Sequence, residues 1–481
     1  MKRSVWRGLL LLLAAASLRA EQAPPATSSD TLFYWLAAGI SSPRIQRLTN
    51  QHSLLCHLTP QYTAALKKAG ADANLIQSLG RKSTAATACS SSTPAAQVAA
   101  LAHDRNFDAE EDKVRALLRD DAANPWLYFV LGAILREQDQ PDDALDAFTE
   151  SSRLLPGFPE THGQLSYLFY RLDDSANARA EARTALSMDP KNAEAYRFLG
   201  LALYADGHYD DALHAFEESL QLEPDSADVY FDMGITHRDQ GDLRRAAIAY
   251  HHALSLRPDF WQAHSNLGVV LHDQGKLDEA IAEYRAAKRL RPEEASIRNN
   301  LGNTLCDKED FDGAIAEFQE LYRQNPEWDG GHNCLARAYM SSRDYPSAIR
   351  ELRAAIRSNP AGAVEHRVLG QALLLSGRDR EAVDVLRQAV ALNPDSALAH
   401  HYLGTAFVNT QQLTEAEEEF RQALQLESSA ENHYSLAACL VALNRYDEAL
   451  GELETASRMD PSQTLYRARM QEVVRLITSS K

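Results

Sequence analysis

Residues 193–226 read AEAYRFLGLALYADGHYDDALHAFEESLQLEPDS, and this stretch holds two helices and the break between them. Tyr196, Leu199, Gly200 and Leu203 fall at i, i+3, i+4 and i+7, one side of an α-helix. Ala212, Phe216 and Ser219 share a side of a second helix. Asp206-Gly207 separates the two, and Pro224 ends the second because proline cannot continue a helix.

Outward from this stretch the same unit recurs. Prolines stand 34 residues apart at Pro156, Pro190, Pro224, Pro258, Pro292, Pro326, Pro360 and Pro394. Ser428 takes the next place, and Pro461 closes the series after one 33-residue step. A fixed period of this size marks a repeat architecture, in which each helix pair buries its apolar side against its neighbours. One slot of the first helix holds Gly132, Ser166, Gly200, Gly234, Gly268, Gly302, Ala336, Gly370, Gly404 and Ala437, all small. A slot of the second helix is alanine throughout: Ala144, Ala178, Ala212, Ala246, Ala280, Ala314, Ala348, Ala382, Ala416 and Ala449. Four residues later the slot is looser, from Phe148 and Phe216 to Ala182 and Leu386. Close helix crossing requires a small residue in the first of these slots, so Gly268→Leu is expected to cost roughly 1–3 kcal/mol by overpacking.

These slots resemble the tetratricopeptide repeat, with its W-x₂-L-G-x₂-Y…A-x₃-F…P pattern. The resemblance covers residues 125–463 as ten repeats. It implies an all-α, right-handed solenoid whose first helices line a concave surface, a surface that holds a peptide segment in many such proteins.

The flanks read differently. Met1–Ala20 has Lys2, Arg3 and Arg7 ahead of a short apolar core from Leu9 to Ser17, the form of a secretory signal peptide. The alternative is an uncleaved anchor in the inner membrane. Residues 21–30 read as a linker. Residues 31–82 read as a small helical module, with Ser42-Pro43 and Thr59-Pro60 each opening a helix. Its words GISSPRIQRL, LTPQYTAALKKAGA and NLIQSLG resemble a helical segment near the N-terminus of repeat proteins in Acidobacteria, and imply no known chemistry. Residues 83–97 read as a second linker and 98–124 as a degenerate repeat. Residues 464–481 read as a capping helix, with Leu465, Ala468, Val473 and Leu476 facing the last repeat.

The formal net charge is −18, with no basic stripe to follow a phosphate backbone, which argues against a nucleic-acid partner. Glu415–Glu419 reads as a solvated helix face. The five cysteines, 56, 89, 306, 334 and 439, include no C-x-x-C; small buried residues and disulfides between Cys306 and Cys334, or Cys56 and Cys89, both stand as readings. No metalloprotease, nucleophile-elbow, phosphate-loop or dinucleotide motif occurs, so no catalytic, metal or cofactor residue is assigned. His162, His264, His332, His366, His400 and His433 share one repeat slot, held by Tyr128, Tyr196 and Tyr230 elsewhere and by Arg298 once. That recurrence reads as ring packing against the neighbouring hairpin.

The candidate binding residues lie on the first helices of four successive repeats. Asn299, Asn303 and Asp307 share a helix face; one period on come Asn333 and Arg337, then Arg367 and Gln371, then His401, Thr405 and Asn409. Earlier repeats place Phe129, Ala133, Arg197, Leu201, Phe231, Ile235, Ser265 and Val269 there, mostly apolar. Amides can bond an extended peptide backbone, and guanidinium groups a carboxylate. The resulting expectation is a non-enzymatic scaffold of the bacterial envelope, exported to the periplasm or secreted. It binds a protein or peptide through the concave face and has no membrane span once the signal is cleaved. The second reading is an accessory subunit of an envelope enzyme or a polysaccharide export or synthesis complex.

Overall fold

The computed structural model describes residues 28–51, 54, 56–82 and 87–479; the stretch read as a signal peptide and most of that read as the first linker lie outside them. Among the described residues the chain forms 27 α-helices, with an isolated bridge between His57 and Ala88. The helices gather into two units, Met1–Pro258 and Asp259–Lys481.

In the first unit four repeat hairpins run from Pro125–Glu137 with Pro141–Leu154 to Ala227–Asp239 with Leu243–Leu256. Each hairpin turns through a residue in the left-handed region, one per period: Asp139 at φ 60°, Asp173 at 58°, Gly207 at 75° and Gly241 at 83°. Arg105, at φ 56°, continues this series one period earlier. It separates Pro94–His103 from Phe107–Asp120, the helix pair of the stretch read as a degenerate repeat. The first of these helices begins at Pro94, N-capped by the Thr93 hydroxyl, so the second linker is shorter than the sequence suggested. Cys56 and Cys89 are disulfide-bonded with Cα atoms 5.0 Å apart, and Cys89 N donates to His57 O at 2.9 Å. These bonds tie that linker back to the turn before Pro60.

The helices Ser29–Ala37, Ser42–Gln51, Pro60–Lys68 and Ala73–Lys82 do not stand apart as a module. A single apolar core runs from Leu32 and Phe33 through Val98 and Val114 to Phe148 and Leu168. Trp35 stacks on Phe158 at 6.1 Å, and Trp126 meets both edge-on. Arg44 on Ser42–Gln51 is buried against two repeat carboxylates: its Nε donates to Glu160 Oε1 at 2.6 Å, and Nη1 donates to Asp189. Arg47, three residues on, pairs with Glu223 one period beyond Asp189.

The second unit holds six hairpins, from Trp261–Asp273 with Leu277–Leu290 to Ala430–Ala442 with Tyr446–Met459, and the helix Thr464–Ser479. The hairpin after Asn325 is irregular. Asp329-Gly330-Gly331 replaces its first turn, and its first helix is His332–Ser341. The terminal helix covers the last repeat with Tyr466, Met470, Val473 and Ile477; of the stripe expected, Val473 is completely buried, whereas Leu465 is 53% exposed and Ala468 is exposed. Its apolar side is set by Val473 and the residues i−3, i−7 and i+4 from it.

The same packing rule operates in both units. All ten slot alanines are completely buried. Each slot glycine stands under the side chain 16 residues later; a Cβ on Gly268 would lie 2.7 Å from the Tyr284 ring. The ring cannot retreat, because Tyr284 is itself 2% exposed in a close-packed layer. Urea unfolding of Gly268→Leu measures the expected loss, and an unchanged midpoint would count against this packing.

Candidate partner-binding face

The histidine slot does more than fill space. His162, His264, His332, His400 and His433 each bond through Nδ1 to a glutamate 19 residues later on the second helix of the same repeat. The five distances lie between 2.5 and 2.9 Å. Arg298 in the same slot donates to Glu317 at 3.1 Å. His400 Nε2 also donates to the Pro394 carbonyl at 2.9 Å, and Arg298 Nη2 reaches Pro292 O at 3.2 Å. The slot therefore ties the two helices of a repeat to the turn before it, where simple ring packing was expected. Its exceptions follow the same logic. Tyr128, Tyr196 and Tyr230 have Ala147, Ala215 and Ala249 at the partner position. His366 has Val385 there and bonds the Gly362 carbonyl instead, at 2.9 Å. Among the described residues no group of three potential ligands could hold a metal ion.

These ties leave other side chains of the first helices on the opposite side. In the second unit that face is crossed by bonds between successive repeats. Asp307 accepts from His272 Nε2 at 3.0 Å on the preceding first helix and from Arg337 Nη1 at 3.0 Å on the following one. Burial acts to raise the Asp307 pKa, but the bonds from His272 and Arg337 outweigh it and hold the carboxyl below its ordinary value. Cys306 and Cys334 join the same two first helices by a disulfide, Cα atoms 5.9 Å apart. Cys439 is a buried free thiol.

The sequence-selected residues divide accordingly. Arg337 is spent on Asp307, and Asn333 Nδ2 donates to Glu365 Oε1 at 2.9 Å. Asn299 reaches Asn300 at 3.4 Å. His401 is 8% exposed, bonds Asn432 Oδ1 at 2.8 Å and meets the Phe420 ring edge-on. It is a core residue joining two repeats, so its assignment to the peptide surface is corrected. Thr405 bonds back to His401 O, and Asn409 is held by Asp379. Among the described residues, Asn303, Arg367 and Gln371 make no side-chain hydrogen bond or ion pair, and all three are half-buried. The acidic run is likewise less solvated than expected: Glu419 holds His400 and Glu417 holds Arg445 at 2.6 Å.

Sequence reading missed an apolar row. Met340, Leu374, Val408 and Val441 occupy one slot of four successive first helices, each half-buried, and Leu375 beside them is 51% exposed. Residues 367, 371, 374 and 375 fall at i, i+4, i+7 and i+8, so Arg367, Gln371 and the apolar row share a face. The signal was present as the spacing from one repeat to the next. In the first unit the corresponding positions are apolar or paired: Phe129 is buried, and Arg197 Nε donates to Asp232 at 2.6 Å.

Family models described as tetratricopeptide repeat match residues 159–192, 193–226, 231–295 and 335–397. One described as anaphase-promoting complex, cyclosome, subunit 3 matches residues 376–456. The comparison with curated proteins finds no match. Among solved structures, one titled as a functional characterization of Pseudomonas aeruginosa pilF is 20% identical. It covers 43% of this chain and 94% of its own, with a TM-score of 0.38. YrrB, described as a TPR protein with an unusual peptide-binding site, is 21% identical over 41% of this chain and 99% of its own, with a TM-score of 0.33. A tetratricopeptide repeat protein of Parabacteroides merdae is 16% identical over 52% of this chain and 98% of its own, with a TM-score of 0.36. The 34-residue slots, the helix pairs they form and the matches in register with them lead to one conclusion: this chain is a tetratricopeptide-repeat protein, an all-α repeat scaffold of the kind that serves protein–protein interaction.

Proposed function

We propose that the protein is a non-enzymatic scaffold outside the cytoplasm, holding a peptide segment of a partner protein on the first-helix face of Asp259–Lys481. The observation that carries this reading is the pairing of Asn303, Arg367 and Gln371, which make no side-chain hydrogen bond or ion pair among the described residues, with the apolar row from Met340 to Val441. Amides and a guanidinium beside an apolar strip suit a segment with one acidic or backbone-exposing edge and one apolar edge. The export part of the reading rests on the N-terminal sequence and on two bonded cysteine pairs, which suit an oxidising compartment. No described helix is long and apolar enough to cross a membrane. Service as an accessory subunit of an envelope enzyme or export complex is a special case of the same scaffold, with the partner being that machine.

The test is a photoreactive amino acid placed at Gln371 in the full chain in its native cells, with exposed Gln388 on a second helix as control. The expected result is a discrete cross-linked species from position 371, absent from 388, in the extracytoplasmic fraction. Equal cross-linking from both positions, or none, would reject the face; cross-linking in the cytosol alone would reject the compartment.

A further inference from the structure

The hairpin Pro94–Asp120 departs from the repeat's own rule at three slots, one of them without compensation, and a cleft lies at that one. With Arg105 fixing the register, Val98 falls in the glycine slot, Val114 in the aromatic slot and Glu110 in the alanine slot. Two valines in place of a glycine and a ring keep the volume of the crossing, and both are completely buried. A glutamate in place of alanine has no such compensation. Glu110 is 1% exposed, and its Oε1 has no hydrogen-bond partner among the described residues. A buried carboxyl left like this is costly unless something else pairs with it. Burial pushes it up to about 8.

The cleft beside it has a volume of about 440 Å³. Leu36, Ile40, Phe107 and Ile134 supply apolar walls, and Glu137 lines it with Glu110. Three cationic or titratable groups also face it. Arg136 is engaged, bonding Glu137 Oε1 at 2.8 Å and Gln164. His103 and Arg105 are exposed, just before and in the turn between the two helices. An anion could meet His103 and Arg105 only at the exposed turn; beside the buried Glu110 it would meet a second carboxyl, Glu137, and the Arg136 guanidinium already engaged. A cation would meet Glu110 Oε1, the buried atom of this lining that lacks a partner among the described residues.

We propose that this cleft binds a small organic cation, a primary ammonium group on a short apolar stem, with the nitrogen donating to Glu110 and the stem lying against Leu36, Ile40, Phe107 and Ile134. Pairing ionises Glu110, whose proton leaves to solvent as the ammonium takes its place. This site is separate from the first-helix face of the other unit and does not depend on it.

Titration calorimetry with n-butylammonium on the full chain at pH 7, in two buffers of different ionisation heat, tests this directly. The expected result is saturable one-to-one binding with release of about one proton. Glu110→Gln is expected to bind at least tenfold more weakly, with butyrate as a silent control. No saturable heat, binding of butyrate as well, or equal binding by Glu110→Gln would overturn the assignment. Should Glu110→Gln fail to fold, the buffer dependence of the unaltered protein decides alone, and binding without proton release overturns it.

Discussion

Arg44→Ala is expected to destabilise the Met1–Pro258 unit by about 3–5 kcal/mol, the cost of removing one member of a buried ion pair. Arg44 and Glu160 are 7% and 2% exposed at their side chains, and Asp189 is 15% exposed. Burial and the Arg44 bond act in opposite directions on Glu160, with burial raising its pKa. Without the guanidinium only a bond from the Glu160 backbone N–H still opposes that burial. The loss should appear first where Ser42–Gln51 meets the repeats, so the fluorescence of Trp35 and Trp126 is a suitable probe beside urea unfolding. A paired replacement, Arg44→Met with Glu160→Met, should cost less than the single change, because it removes both buried charges at once. A single variant as stable as the parent would show that the N-terminal helices do not depend on this anchor.

Stability should also fall as pH rises from 5 to 8, by up to about 1.3 kcal/mol per unit, and Glu110→Ala should remove most of that slope. The sign follows from the folded state holding the acid form. The Glu110 carboxyl titrates at an ordinary 4.5 when unfolded and is pushed up to about 8 by burial when folded. Its contribution is therefore whole below 4.5 and lost progressively as pH rises through 8. His103, Arg105, Arg136 and Glu137 are the other charged or titratable groups around the cleft. They remain in the variant, so the difference between the two pH profiles isolates Glu110. Urea midpoints at pH 5 and pH 8 measure it, and parallel profiles would contradict the placement of Glu110 in the alanine slot's interior.

The two predictions mark what could and could not be read in the chain. Period, helix pairs and crossing points were legible because a repeat writes its packing rule many times: a small residue, an alanine, a ring. The link between the histidine slot and the glutamate 19 residues later was equally written, as glutamate after arginine and after each histidine but His366, and alanine after tyrosine, but it emerges only when two slots are read together. Glu110 was hidden because residues 98–124 look irregular until Arg105 at φ 56° restores the register. Arg44 and Glu160 were beyond reach: they are 116 residues apart, and no period connects the N-terminal helices to the repeats. Cysteine pairing was similarly open, since five cysteines do not define their own partners. In the binding face, one-residue differences decided the outcome. His401 was selected by spacing from Arg367, yet the same spacing carries it under Phe420 and onto Asn432.

Selection of peptides from a random library on the intact chain tests most directly whether the face that carries Arg367, Gln371 and the apolar row is the one that binds. Peptides that bind should combine apolar residues with an acidic group or a free backbone edge. Their affinity should drop at least tenfold for a variant carrying Arg367→Glu and Leu375→Asp, with melting and helicity unchanged. Selected peptides that bind this variant as tightly as the parent would place recognition elsewhere and contradict the account.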